Sequence, residues 1–174
     1  MQTMNSLADA GYGITHAPAN SAALVADLRA GPTNQGWQGR VCDAVMPNAA
    51  YLAHFNSLPA ALRNEVTTRW GTPESDPMHD GTGFRLPLRR YGNVVVAVQP
   101  ARGYNIDPKA TYHSPDLLPP HNYLALYWWL RGEFGVDAVV HFGKHGNLEW
   151  LPGKALSLSS SCLPEAVLGP LPHL

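Results

Sequence analysis

Leu62, Val66 and Trp70 recur every fourth residue between Pro59 and Gly71, the spacing of one face of a helix. Pro59 suits the first helical position and Gly71 the stop, so the pattern predicts a helix from Pro59 to about Trp70 with those three residues in the core. Asn48 is placed to cap a shorter helix just before it, Ala49–Ser57. Asn20 or Ser21 is placed to cap another that runs to Arg29 and stops at Gly31-Pro32. Residues 1–14 show no clear periodicity, and 33–47 read as an irregular connection around Trp37.

Beyond the turn-rich stretch 71–83 the pattern changes to strands. Phe84–Arg89 and Val94–Val98 flank Tyr91-Gly92-Asn93 and predict a hairpin, with the valine run buried on both faces. Gln99–His121 then has almost no periodicity, and a loop of that length in a compact domain is usually functional or disordered. Its Arg102, Tyr104, Asp107, Lys109, Tyr112, His113 and His121 favour function. His121 and Asn122 are placed to cap a helix over Tyr123–Glu133, apolar nearly all round and therefore buried, with Trp128 and Trp129 in the core. Gly135 ends it, and Val136–His141 reads as a second buried strand. The expectation is an α/β fold of buried strands, flanking helices and long functional loops. No repeat or linker divides residues 1–174. In open α/β sheets, ligands gather at the carboxyl ends of strands, which is where His141 falls.

The chemistry concentrates there. The fourteen residues His141–Lys154 hold two imidazoles, one carboxylate, two ammonium groups and three glycines. His141, His145 and Glu149 stand at equal four-residue steps. Imidazole suits Co, Ni, Zn and Fe, and a nearby carboxylate ligates metal or takes protons. On a helix the three would share a face, but Gly143 and Gly146 favour a glycine-rich loop presenting His145 and Glu149. The plain alternative is a pair of satisfied core histidines with a structural carboxylate. The block is not the H-E-x-x-H of zinc proteases, since Phe142 follows His141, and the chain has no P-loop for ATP. Arg102 and Lys109 are suited to clamp carboxylates, though ordinary surface charge explains them as well. His16, His54, His79 and His173 have no evident partner.

Charge adds a little. Residues 1–80 hold four arginines against seven carboxylates, and 81–154 hold eight Lys/Arg against five, so the histidine block lies in the basic half. That half would suit an anionic small molecule. A net charge of -1 with no basic run gives no footing for nucleic acid. Cys42 and Cys162 form no CxxC pair and imply reduced thiols in the cytoplasm. The start of the chain has neither the basic nor the apolar region of a signal peptide, and Tyr123–Leu130 is too short to span a bilayer.

The block His141–Lys154, preceded by Asp137-Ala138-Val139-Val140, closely resembles the signature of the large subunit of tetrapyrrole metal chelatases. That family includes the CobN-type subunit of aerobic cobaltochelatase and the H subunit of magnesium chelatase. Phe84-Arg85-Leu86-Pro87, Gln99–Lys109 and Pro164–Pro172 resemble further stretches of it. Gly103–His113 and Lys144 are similar to the cobalt branch, where magnesium subunits usually carry Thr at the position of Lys144. The family subunit is several times longer, so the resemblance implies an internal segment of a larger chelatase body, incomplete at both ends.

The resemblance implies insertion of cobalt(II), as substrate metal, into hydrogenobyrinic acid a,c-diamide. It implies ATP and Mg used by AAA+ partner subunits of the CobS/CobT type rather than bound here. His141, His145 and Glu149 would hold the metal while it sheds water. Glu149 would take the ring N–H protons, with His145 as relay, because metal ligands must be deprotonated. Arg102, Lys109, Lys144 and Tyr104 would receive the ring, and Trp150 would lie against a ring face or pack in the core. Three other readings stay open: magnesium insertion into protoporphyrin, a tetrapyrrole-binding module without catalysis, and, much further off, a His/Glu zinc hydrolase.

Overall fold

The computed structural model describes residues 1–103, 114, 116–143, 148–154, 156 and 158–174, except the side chain of Glu149. Two helices open the chain, α1 (Gln2–Asp9) and α2 (Ser21–Ala30). Asn20 caps α2 as its position suggests, its side-chain oxygen accepting the Ala23 N–H at 2.9 Å. The first helix runs through sequence without periodicity, and only Met4 on it is buried.

Strand β1 (Val45–Pro47) leads straight into α3 (Asn48–Ser57), and α4 (Ala60–Trp70) follows. Asn48 is the first helical residue of α3 rather than its cap; Pro47 holds the capping position. Leu62 and Val66 are buried as their spacing requires, while Trp70 is partly buried and donates its indole N–H to the Leu118 carbonyl at 3.0 Å.

The strands make two small antiparallel pairs. β1 pairs with β2 (Gly83–Arg85), Met46 opposite Phe84. β3 (Leu88–Tyr91) pairs with β4 (Val94–Ala97) across the expected turn. Phe84 therefore belongs to a sheet made with a distant segment, not to the hairpin. The four residues of β4 are each only partly buried, so the valine run lies on the surface of the fold instead of deep within it.

Helix α5 (His121–Trp128) is the axis of the core, with all eight residues buried, and it continues as wider π-helical turns over Trp129–Phe134. Gly135, with φ 71°, takes the left-handed conformation that ends a helix. Neither His121 nor Asn122 caps α5. Asp76 does so from far away in the chain: its Oδ2 accepts the Asn122 N–H at 2.9 Å and its Oδ1 the Met78 N–H at 2.8 Å. Around α5, Tyr51 packs on Phe84 at 4.5 Å and on Trp128 at 5.3 Å between ring centroids, contacts worth about 0.5–1.5 kcal/mol each beyond burial. The last helix, α6 (Leu163–Leu168), is fastened to α5 where the Trp128 indole donates to the Ala166 carbonyl.

The expected buried strand Val136–His141 is the largest local difference. Its residues are exposed or half-buried, and its pairing among the described residues is a single parallel bridge, Val139 to His173. Solvent-facing Asp137 and Ala138 leave it no second apolar face to bury. The mixture of helices and strands holds, without an open parallel sheet among the described residues.

Candidate functional site

The site begins where that short extended stretch meets residues 172–174. The Val139 N–H donates to the Pro172 carbonyl at 2.9 Å, the Leu174 N–H to the Val139 carbonyl at 3.0 Å, and the His141 N–H to the Leu174 carbonyl at 2.8 Å. This parallel clasp sets His141 beside His173, with Nδ1 of the first 2.8 Å from Nε2 of the second and the rings nearly perpendicular at 79°.

On its other side His141 meets the core. Its Nε2 lies 3.0 Å from Oη of Tyr127, a buried residue in the last turn of α5. Gln99, just past β4, donates through Nε2 to that same Oη at 2.7 Å and to Oη of Tyr123 at 3.2 Å. A line of polar groups therefore runs from the buried face of α5 through half-buried His141 to exposed His173. Both ring nitrogens of His141 have partners, so a metal ion taken by either would displace one. Val140, Phe142 and Leu174, at alternate positions of the clasp, are exposed; Phe142 is 76% accessible.

Of the other expected site residues, Arg102 and Trp150 are described. Arg102 is 3% exposed, and its Nη2 donates to the carbonyls of Ser114 (2.8 Å) and Leu117 (2.7 Å). It ties the start of the long connection after β4 to its end. Trp150 closes a 3₁₀ turn, Leu148–Trp150, and is 37% exposed, whereas Leu148 and Leu151 on either side are buried. Tyr104, Lys109, Lys144 and His145, and the side chain of Glu149, lie outside the described residues. Among the described residues no three His, Cys, Asp or Glu side chains stand close enough to hold a metal ion.

The end of the block is fixed by Cys162. Gly153 has φ 139°, and a Cβ there would lie 2.8 Å from the Cys162 Cβ, so this glycine serves close packing. The Sγ accepts N–H groups from Lys154 (3.3 Å) and Ser159 (3.4 Å). These bonds, led by the Ser159 hydroxyl, hold the thiol below its ordinary range.

A second histidine lies inside. His121 is wholly buried, its Nδ1 2.6 Å from Oη of Tyr51 and its Nε2 3.0 Å from the Gly71 carbonyl. Burial lowers its pKa, against smaller upward pulls from the Gly71 carbonyl, Asp76 and Glu74.

The residues that sequence reasoning missed are His173, Tyr127 and Gln99. Each stands far along the chain from His141, and no local spacing links them. The parallel pairing that brings His173 in is too short to leave a strand pattern.

The CobN/magnesium chelatase family model matches residues 1–174. The chain is 53% identical over its whole length to the aerobic cobaltochelatase subunit CobN of Sinorhizobium sp. It is 45% identical to the subunit of the same name from Pseudomonas aeruginosa, again over the whole chain. Over 98% of the chain it is 31% identical to the magnesium-chelatase H subunit of Rhodobacter capsulatus. In each case it spans 14% of the relative's length. The solved catalytic subunit of cobaltochelatase from Mycobacterium tuberculosis superposes with a TM-score of 0.79 at 38% identity, covering 99% of this chain and 15% of that one.

Proposed function

The chain belongs to the CobN/magnesium chelatase family, and from that premise we propose that it contributes to inserting cobalt(II) into a corrin-type tetrapyrrole, hydrogenobyrinic acid a,c-diamide. The observation that carries this reading is the whole-chain similarity to subunits named for cobalt, well above that to the magnesium-chelatase relative. The geometry supports it. His141 presents an imidazole between core and surface, with exposed Val140, Phe142 and Trp150 nearby in sequence. Exposed apolar side chains around a metal-binding nitrogen suit a flat macrocycle better than a small hydrophilic substrate.

In this reading His141, His145 and Glu149 hold cobalt while it loses water. Glu149 removes the ring N–H protons, with His145 as relay. Lys109 and Lys144 neutralise the ring's acid side chains, Tyr104 and Trp150 lie against the ring, and Arg102 serves the same clamp by bracing the connection that carries Tyr104 and Lys109. ATP and Mg act on AAA+ partner subunits, whose cycle closes the site or releases product. The match to a magnesium-chelatase relative favours one second reading, the same machinery turned to magnesium and a porphyrin.

The test is ATP-dependent cobalt insertion by the intact protein with its ATPase partners, followed by ring absorbance. Glu149→Gln is expected to slow insertion about 10²–10⁴-fold while ring binding persists. Equal rates in both would move the base elsewhere. Failure of the unmodified complex with cobalt but success with magnesium and a porphyrin would select the second reading.

A further inference from the structure

Two neutral imidazoles 2.8 Å apart hold one proton between them, so one ring donates and the other accepts. The groups behind His141 favour one direction. Gln99 as oriented donates through Nε2 to Oη of Tyr127. A Tyr127 O–H that donates to Nε2 of His141 completes this line. In that arrangement the His141 proton would sit on Nδ1 and be donated to Nε2 of His173. The opposite direction would put a proton on Nε2 of His141 and block that nitrogen.

We propose that His173 is the positioning partner of His141: it accepts the Nδ1–H and so fixes the tautomer that keeps the Nε2 lone pair for the incoming metal. The inference rests on His141 being a metal ligand, as proposed above. Histidines that bind metal usually donate their other N–H to a fixed acceptor, which sets the ring's orientation and raises its basicity. Here the acceptor is another imidazole, and the backbone holds it still. The Pro172 carbonyl before it and the Leu174 N–H after it are both bonded to Val139, two residues from His141. Displacing Tyr127 from Nε2 would leave the His173 bond intact.

Three variants of the intact protein separate the possibilities: His141→Phe, His173→Phe and His173→Gln. The probe is cobalt(II) alone, titrated by its visible absorption, with long-range ¹H–¹⁵N spectra of the metal-free protein to locate the His141 proton. His173→Phe is expected to weaken cobalt binding about 10–100-fold, the usual range for losing such a partner. His173→Gln should stay within about threefold, because its amide oxygen can take the same N–H. The spectra should place the His141 proton on Nδ1. Unchanged affinity in His173→Phe, or equal losses in the Phe and Gln variants, would overturn the positioning role, and so would a proton on Nε2. In those cases a large loss in His141→Phe would leave His141 standing as a ligand. Unchanged binding in His141→Phe would remove the ligand reading and this inference with it.

Discussion

Helix α5 carries two tyrosine–histidine contacts of the same kind, one near each end. At its start His121 meets Tyr51, and in its last turn Tyr127 meets His141. The difference lies in what holds the far side of each imidazole. His121 donates to the Gly71 carbonyl, and a carbonyl only accepts, so one tautomer is fixed for the life of the fold. His141 faces another imidazole, which can give or take a proton. The first ring is sealed and serves stability. The second stands half-buried, its far side held by an exposed imidazole.

The largest effect that would break this comparison is on stability. His121→Ala removes a wholly buried imidazole that bonds the Tyr51 hydroxyl and the Gly71 carbonyl and leaves a cavity in its place, so a loss of about 3 kcal/mol is expected in urea unfolding. His141→Ala should lose less than about 1 kcal/mol, since its site is partly open. Equal losses would mean that the two histidines are both structural.

Acid should act on the same side of the contrast. Burial pushes the His121 pKa below its ordinary 6.5, and burial followed by the Arg131 charge does the same to His54. Below 6.5 the unfolded chain takes up protons that the folded chain refuses, so stability is level above that pH and falls as pH drops towards the folded values. Unfolding midpoints measured from pH 7.5 to 5 should show this decline, and His121→Gln should reduce it. A decline of unchanged size in the variant would assign it elsewhere.

The smallest effect compares the two hydroxyls. Tyr51→Phe strips a wholly buried imidazole nitrogen of its donor and should cost about 1–2 kcal/mol, whereas Tyr127→Phe should cost about 0.5 kcal/mol. Thermal melts of the two variants side by side would show whether that order holds.

The helices were legible from local spacing and stop signals, though the local cap candidates Asn48, His121 and Asn122 did not serve. Asn20, Gly71 and Gly135 mark ends that the structure keeps, and Leu62, Val66, Trp128 and Trp129 pack where their patterns place them. What escaped was held by long-range contact. Asp76 caps α5 from more than forty residues upstream, and β1 finds β2 across α3 and α4. The site divides the same way. Its residue types stand out as a block, and the resemblance gives them a purpose. The partner of His141 is set by three backbone hydrogen bonds between segments whose sequences show no sign of each other.

The clasp of residues 139–141 on 172–174 has one more consequence, for how the protein can vary. His141 and His173 stand 32 positions apart, and the entropy of joining two chain points grows only slowly with the sequence between them. Doubling that length would add about 0.6 kcal/mol to the closure. Insertions and deletions in the exposed part of this segment are therefore cheap so long as buried Leu148, Leu151 and α6 and both arms of the clasp survive. The length of that exposed part can change without rebuilding the pair of imidazoles at its base.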